Sequence, residues 1–204
     1  SYGDNESIIS HFRKRYEAEK KFFGNNYEFI SKNIPILHKE VNSNFIFQKI
    51  KNYDPDIMVV FGASIIKDPL LSLGKRNRFL NLHLGLSPYY KGNATNFWPF
   101  INNELEFLGS TVLHIDPGID TGDILLQVPL TISADNTIKD LNDKINHAAY
   151  EGTRKLCQNF HSQPSYPGVK QNHKLANYWR KRTPHDITLD LRMPAYLIIR
   201  IVRS

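Results

Sequence analysis

The fold is decided by residues 54–62, which read DPDIMVVFG. Five apolar residues in succession, opened by a proline and closed by a glycine, are typical of a strand that is buried on both faces, as the strands of parallel sheets are. A second apolar run, FLNLH at residues 79–83, follows a predicted helix near residues 69–73. Strand, helix and strand in this order predict an α/β domain with a parallel sheet.

Hydrophobic periodicity predicts the elements around this pair of strands. The longest predicted helix spans residues 137–160, where apolar residues recur every three or four positions, and Asp135 or Asn136 is suited to cap its start. The other predicted helices are 6–23, 44–52 and 95–101, and the other predicted strands are 34–37, 109–115 and 123–128.

The composition limits the classes of protein to which the chain can belong. With 204 residues, of which 41% are hydrophobic, the chain is long enough for one domain with a core and an appendage. No apolar run approaches the ~20 residues of a membrane span, so we expect no membrane partner. The single cysteine, Cys157, excludes an intrachain disulfide framework. We expect this cysteine in the core, and we expect a cytoplasmic protein.

Positive charge is concentrated towards the end of the sequence. Residues 166–204 hold eight Lys or Arg against two Asp, which accounts for the whole net charge of +6. Such a segment suits contact with nucleic acid or phosphorylated ligands, or simply a solvated surface. We therefore divide the chain into a core, residues 1–163, and a basic C-terminal extension, residues 164–204. Because nothing before residue 34 resembles the buried strand that opens a nucleotide-type α/β domain, we expect the core to lack its first strand and the chain to be a piece of a longer one.

Two polar residues lie near the end of the second predicted strand. Asn81 and His83 are two positions apart, so their side chains share one face of the strand. Ligands bind at the carboxyl edge of open α/β sheets, and an amide and an imidazole would point together into the cleft at that edge. Taken alone, this spacing more often has a structural role than a chemical one.

Two further segments add polar groups to this pair. Residues 86–92, which read LSPYYKG, form a loop soon after the histidine, and loops at such positions hold binding groups on a rigid scaffold. Asp120 lies within IDTGD, residues 119–123, in the turn between two predicted strands. Each segment by itself is also typical of an ordinary turn. In combination with Asn81 and His83 they form a more specific pattern.

The combined pattern resembles the formyltransferase family, which includes methionyl-tRNA formyltransferase, glycinamide ribonucleotide transformylase and the sugar N-formyltransferases. The matching motifs are Asn-x-His at Asn81 and His83, a loop with Leu and Pro that ends in a basic residue and Gly at residues 86–92, and Asp-x-Gly at residues 120–122. The resemblance extends over residues 54–160, with a weaker echo at residues 178–184. It implies a Rossmann-like formyltransferase fold with a mostly parallel central sheet, in which residues 1–163 are the catalytic core.

The resemblance also implies a reaction and roles for three residues. The family moves a formyl group from N10-formyltetrahydrofolate to an amine, and an oxyanion develops when the amine attacks the formyl carbon. Asn81 would donate a hydrogen bond to that oxygen. His83 would stabilise the oxyanion or transfer a proton, and Asp120 would favour protonated His83 and hold its ring or a water molecule.

Two binding surfaces complete what the resemblance implies. The folate is expected at Phe61, Gly62, Ala63, Ser64, Ile65, Ile115, Asp116 and Gly118, although Phe61 and Ile65 are equally compatible with a place in the core. The amine acceptor is expected at Tyr89, Tyr90, Lys91 and Asn93. We expect no metal, because His114 and His147 lack partners at the spacing of metal ligands.

The sequence leaves three functions open. Many family members have Pro-Ser where this chain has Leu84-Gly85, and Arg where it has Lys91. These departures favour a small acceptor, a nucleotide-linked amino sugar, over tRNA. The alternatives are a methionyl-tRNA formyltransferase, which the basic extension favours, and a non-catalytic formyltransferase-like module. The oligomeric state is also left open, a homodimer included.

Overall fold

The computed structural model describes residues 6–24, 31–74, 78–133, 136–159, 162 and 165–203. The chain divides into two units, Ser1–Leu37 and His38–Ser204. No helix within the described ranges is long and apolar enough to span a lipid bilayer.

The first unit contains helix α1, Glu6–Phe23, which confirms the predicted helix. The strand predicted at residues 34–37 is wrong, because these residues have no regular secondary structure. Pro35 cannot donate a backbone hydrogen bond, and the apolar side chains beside it stay exposed, Leu37 to 72%. An apolar run of this length therefore did not suffice to form a strand.

The second unit contains a four-stranded sheet, a two-stranded ribbon and four α-helices among its described residues. Its elements in chain order are α2 (Asn44–Tyr53), β1 (Met58–Phe61), β2 (Phe79–Leu84), β3 (Lys91–Gly92), α3 (Trp98–Asn102), β4 (Gly109–His114), β5 (Ile124–Pro129), α4 (Ile138–Gln158), β6 (Tyr178–Trp179) and α5 (Ala195–Arg203). The helix predicted near residues 69–73 is a short 3-10 turn, Leu70–Leu73.

The sheet has the strand order β1-β2-β4-β5. Strands β1 and β2 are parallel, as predicted, whereas β2 and β4 and then β4 and β5 are antiparallel. The sheet is therefore mixed rather than mostly parallel over its described strands. The physical reason at β4 and β5 is the nine-residue connection between them, which is too short for the crossover of a dozen or more residues that parallel neighbours require. The α/β, Rossmann-like class is confirmed.

Helix α4 packs on the sheet through a buried stripe that includes Leu141, Ile145 and Ala149. Its start is capped by a box in which Thr137 and Asp140 exchange hydrogen bonds. This corrects the expected caps, since Asn136 accepts from the Ser133 amide instead and Asp135 lies outside the described residues. The stripe places the helix over the central strands and so fixes the core next to β2.

The structure at the end of α4 and after it bears on two predictions, the place of Cys157 and the start of the C-terminal extension. Cys157 is exposed, because it lies off the buried stripe of the helix. Residues from 165 onward pack against the core: Val169 pairs with Ile124, and strand β6 pairs with β3. The domain boundary at residues 163 and 164 stays a prediction.

Ile145 offers a test of the α4 stripe. Its side chain is 1% exposed among Phe100, Leu108 and Leu141, so Ile145→Ala should lower the free energy of unfolding by about 2–5 kcal/mol. Urea denaturation followed by circular dichroism measures this loss. Tyr150→Ala on the same helix, where the side chain is 63% exposed, is the matched control and should change stability by less than about 0.5 kcal/mol. Equal effects at the two positions would contradict the packing.

Candidate active site

A cavity of about 540 Å³ opens where strands β1 and β2 end. Because these two strands are parallel, their carboxyl ends meet at one edge of the sheet, which is where ligands bind in open α/β folds. The volume lies within the range of ~300–1,000 Å³ that is usual for small-molecule sites. The wall is formed by His38, by residues 60–66, 81–84, 92–96 and 113–116, and by residues 118–120.

The carboxylate of Asp120 lies at the centre of the polar part of this wall. Its Oδ1 accepts a hydrogen bond of 2.8 Å from Asn81 Nδ2, and its Oδ2 accepts one of 2.8 Å from the backbone N–H of Gly92. The same Oδ2 lies 3.5 Å from His83 Nδ1, with the two side chains only 9% and 7% exposed. The structure thus brings together the three residues predicted to act in catalysis, from positions 39 residues apart in the chain.

Strand geometry and one unusual backbone conformation position these groups. Asn81 and His83 point to the same face of β2, which lies between β1 and β4 and is hydrogen-bonded on both sides. Asp120 has a φ of +51°, in the left-handed region that Asp and Asn tolerate better than most residues. The turn around it is tight, since a Cβ at Gly122 would lie 1.9 Å from the carbonyl oxygen of His114.

The ring of His83 is held in one orientation from both sides. Its Nε2 lies 2.7 Å from the carbonyl oxygen of Tyr90, and a carbonyl only accepts hydrogen bonds, so Nε2 carries a proton. This leaves Nδ1 as the nitrogen that faces the Asp120 carboxylate. A second proton, on Nδ1, would therefore be placed directly beside a negative charge.

The eight residues predicted to bind folate all line the cavity. Phe61 and Ile65 are 59% and 52% exposed, so they form an apolar wall that is open to solvent instead of belonging to the core. Asp116 is occupied within its own turn, where it accepts from the Gly118 amide and from the Thr121 hydroxyl. The contribution of Asp116 and Gly118 to the wall is therefore the shape of the turn.

The residues predicted to bind the amine acceptor do not form one surface. Asn93 is exposed and lines the main cavity. Tyr89 is half-buried and instead lines a second cavity of about 380 Å³. Tyr90 also borders that second cavity, but its side chain is only 1% exposed, with the hydroxyl donating to Glu104 and the ring stacked 5.0 Å from Trp179. Burial raises the pKa of Tyr90. The assignment of Tyr90 to the acceptor is therefore corrected to a place in the core.

Lys91 is also corrected, because its side chain is fully buried and does not line the main cavity. Its Nζ lies 3.5 Å from His173 Nδ1 and 5.4 Å from the centre of the Tyr178 ring. Burial lowers the pKa of Lys91, and the negative charge of Asp120 opposes that change. The lysine thus contributes positive charge behind the site and not a contact with the acceptor.

Two groups at the site were missed by the sequence reasoning. The first is the backbone N–H of Gly92, which side-chain motifs in a sequence cannot reveal. The second is His38, which lines the cavity and contacts the Ser64 hydroxyl but lies before the recognisable motifs. Within the described residues, no three His, Cys, Asp or Glu side chains lie together as a metal site requires.

Comparison with known proteins adds an independent line of evidence. Residues 7–156 match the sequence profile of the family described as Formyl transferase. A methionyl-tRNA formyltransferase of Desulforamulus reducens is 34% identical over 149 residues, which are 71% of this chain and 45% of that protein. The chain spans about half the length of the curated relatives it matches.

Solved structures of similar proteins point the same way. The N-formyltransferase from Helicobacter canadensis, in complex with folinic acid and dTDP-3-aminofucose, is 29% identical, with a TM-score of 0.58 over 69% of this chain and 51% of that chain. A 4-N formyltransferase from Francisella tularensis, 21% identical, shares the fold with a TM-score of 0.66 over 98% and 84% of the two chains. Since the profile match covers more than half of its residues, the chain belongs to the formyl transferase family.

Proposed function

We propose that this chain carries the catalytic centre of a folate-dependent N-formyltransferase, which moves a formyl group from N10-formyltetrahydrofolate to an amine. The observation that carries the proposal is the Asp120 carboxylate, which bonds Asn81 and faces His83 at the wall of one cavity. Membership of the formyl transferase family supports the same reaction.

Asn81 supplies the hydrogen bond to the oxygen on which charge develops. Its amide nitrogen has two N–H groups, and among the described contacts only one of them is used, in the bond to Asp120. The second N–H is therefore available to an oxygen in the cavity. Since the first bond fixes the plane of the amide, the donor is oriented before the ligand binds, and donors of this kind contribute strongly to catalysis.

His83, once it takes up a second proton, forms a charged pair with Asp120 beside that donor. The Tyr90 carbonyl fixes the ring through Nε2, so a proton on Nδ1 is stabilised by the carboxylate 3.5 Å away. In this form His83 places positive charge at the wall of the cavity. That charge favours negative charge on a bound oxygen, and the burial of both side chains limits screening by water.

The wall of the cavity that contains residues 61–65 fits a folate. When bound, the folate supplies the formyl carbon. Phe61 and Ile65 offer exposed apolar surface, and the backbone of residues 62–64 lies open along the same wall, where it can form hydrogen bonds with a ring edge. The similar protein from Helicobacter canadensis was crystallised with folinic acid, which supports a folate as the ligand here.

For the acceptor we propose the amine of a nucleotide-linked amino sugar. The complex of the Helicobacter canadensis protein with dTDP-3-aminofucose supports this class, as do Leu84 and Gly85 in place of the more usual Pro-Ser. The second candidate acceptor is methionyl-tRNA, favoured by 34% identity to the Desulforamulus reducens enzyme and by the basic extension. A homodimer and a cytoplasmic location stay predictions.

Removal of the Asn81 donor tests the catalytic centre. Asn81→Ala should lower kcat by about 10²–10³-fold, because the developing oxyanion loses a prearranged hydrogen bond, with little change in KM for the folate. Release of tetrahydrofolate measures the rate. Asn159→Ala, at the exposed end of α4, is the control and should keep the rate of the unaltered protein. A kcat that Asn81→Ala leaves unchanged would refute the assigned role.

The apolar wall gives a test of folate binding alone. Phe61→Ala removes a ring that the ligand would cover, so the Kd for a folate analogue should rise by about tenfold or more. Isothermal titration calorimetry measures the Kd. Phe45→Ala removes a similarly exposed ring from α2, away from the lining of the cavity, and should leave the Kd unchanged. An unchanged Kd for Phe61→Ala would place the folate elsewhere.

The acceptor class is tested by assaying each candidate separately. Given formyltetrahydrofolate, the protein is expected to release tetrahydrofolate with dTDP-linked amino sugars as acceptors and none with methionyl-tRNA. Formylation of methionyl-tRNA, with binding that weakens steeply as salt is raised, would establish the second candidate instead. No release with either acceptor, and no shift of the thermal midpoint by folate, would favour a non-catalytic module.

A further inference from the structure

We propose that the segment formed by residues 165–179, which we call the brace, positions Asp120, and that Gln171 is its principal positioning residue. The inference rests on the proposed function, since it assigns Gln171 a role in the same reaction. Gln171 does not line the cavity, so it acts through Asp120 and not on a bound ligand.

Gln171 holds the backbone on both sides of the Asp120 turn. Its side-chain Nε2 donates to the carbonyl oxygen of Asp120 at 2.8 Å and to that of Gly122 at 2.6 Å. The amide is 7% exposed, and its orientation follows from chemistry, because two carbonyl acceptors require the nitrogen and not the oxygen. One buried side chain thus ties together the two carbonyls that flank Thr121.

The turn needs such a tie because of its backbone conformation. At a φ of +51°, Asp120 has a left-handed conformation that costs free energy in a residue with a side chain, even though Asp tolerates it better than most, so contacts with its surroundings help to hold it. The direction of the carboxylate depends on that conformation, since the side chain leaves from the same Cα. Loss of the Gln171 bonds would let the turn relax and move the carboxylate relative to Asn81 and His83.

The C-terminal end of the brace also positions the Asp120 carboxylate, through the backbone around Gly92. Two backbone carbonyls of the brace accept hydrogen bonds of 3.0 Å: the Asn177 oxygen, just before β6, accepts from Lys91 N, and the Trp179 oxygen, in β6, accepts from Asn93 N. Backbone N–H groups alternate in direction along a strand, so the N–H of Gly92 points away from β6 and donates to Asp120 Oδ2 at 2.8 Å. The close approach requires glycine, because a Cβ there would lie 2.6 Å from the Trp179 oxygen.

The test replaces Gln171 by residues that keep its size and differ in their donors. Gln171→Met removes both N–H donors and should lower kcat by about 10–100-fold through displacement of Asp120, with less than a twofold change in KM for the folate. Gln171→His keeps one ring N–H and should recover part of the rate, which a simple loss of packing would not produce. Asn172→Ala is the matched control, since this neighbour only caps the following turn by accepting from the Lys174 amide.

A double-mutant cycle separates positioning from general stability. If Gln171 acts through Asp120, Gln171→Met should have no further effect on kcat in the Asp120→Ala background. Full activity of Gln171→Met, or an equal loss in both backgrounds, would overturn the proposal while the proposed function stood.

A second readout does not depend on activity. Hydrogen exchange followed by NMR should show faster exchange of the Gly92 amide in Gln171→Met, while the Lys91 and Asn93 amides, bonded to the Asn177 and Trp179 carbonyls, keep their protection. An unchanged Gly92 amide would overturn the brace. Protein that releases no tetrahydrofolate with any acceptor would instead refute the proposed function, and the exchange data would still decide the role of Gln171.

Discussion

The carboxylate of Asp120 is the group on which the arrangement of the site depends. A carboxylate with only 9% of its side chain exposed is unstable unless N–H groups compensate for the lost water, and here the Asn81 amide and the Gly92 backbone do so. These donors belong to different parts of the chain, a central strand and a two-residue edge strand. Both donors reach the carboxylate because the Asp120 turn, β2 and β3 lie close together, so the need to compensate one buried charge also constrains the geometry of the catalytic candidates.

Much of the frame that places this carboxylate could be predicted from the sequence. Strand β1 was recognisable because residues 54–62 contain an apolar run between a proline and a glycine. Because side chains two positions apart in a strand share a face, Asn81 and His83 were placed on one face of β2. Both signals are local. Asp120 had no local signal beyond that of a turn, and it was found because the spacing of three motifs resembles a family.

The two wrong predictions at the candidate site, Tyr90 and Lys91, share a physical cause, which is contact between residues distant in sequence. Tyr90 and Lys91 look like solvent-facing loop residues, but β6 pairs with this loop from 87 residues away, with Tyr178 lying beside Lys91. When a loop is buried by a later segment, the sequence of the loop itself does not show that burial. The same holds for Gln171, whose partner Asp120 lies 51 residues before it, and whose neighbours in sequence suggest only a polar loop.

The two sides of the cavity differ in whether their residues are placed by local or by long-range contacts in the sequence. The wall proposed to bind folate consists of strand ends and the turns directly after them, and the residues that the resemblance assigned to it, such as Phe61 and Ile65, all line the cavity. The loop at residues 86–92, which the resemblance assigned to the acceptor, instead packs against a later segment, since β3 pairs with β6. Relatives with tRNA and with nucleotide-sugar acceptors both match this chain. Since Lys91 is buried against His173, 82 residues later in the chain, the surroundings of this loop depend on the later segment and cannot be derived from the loop motif alone.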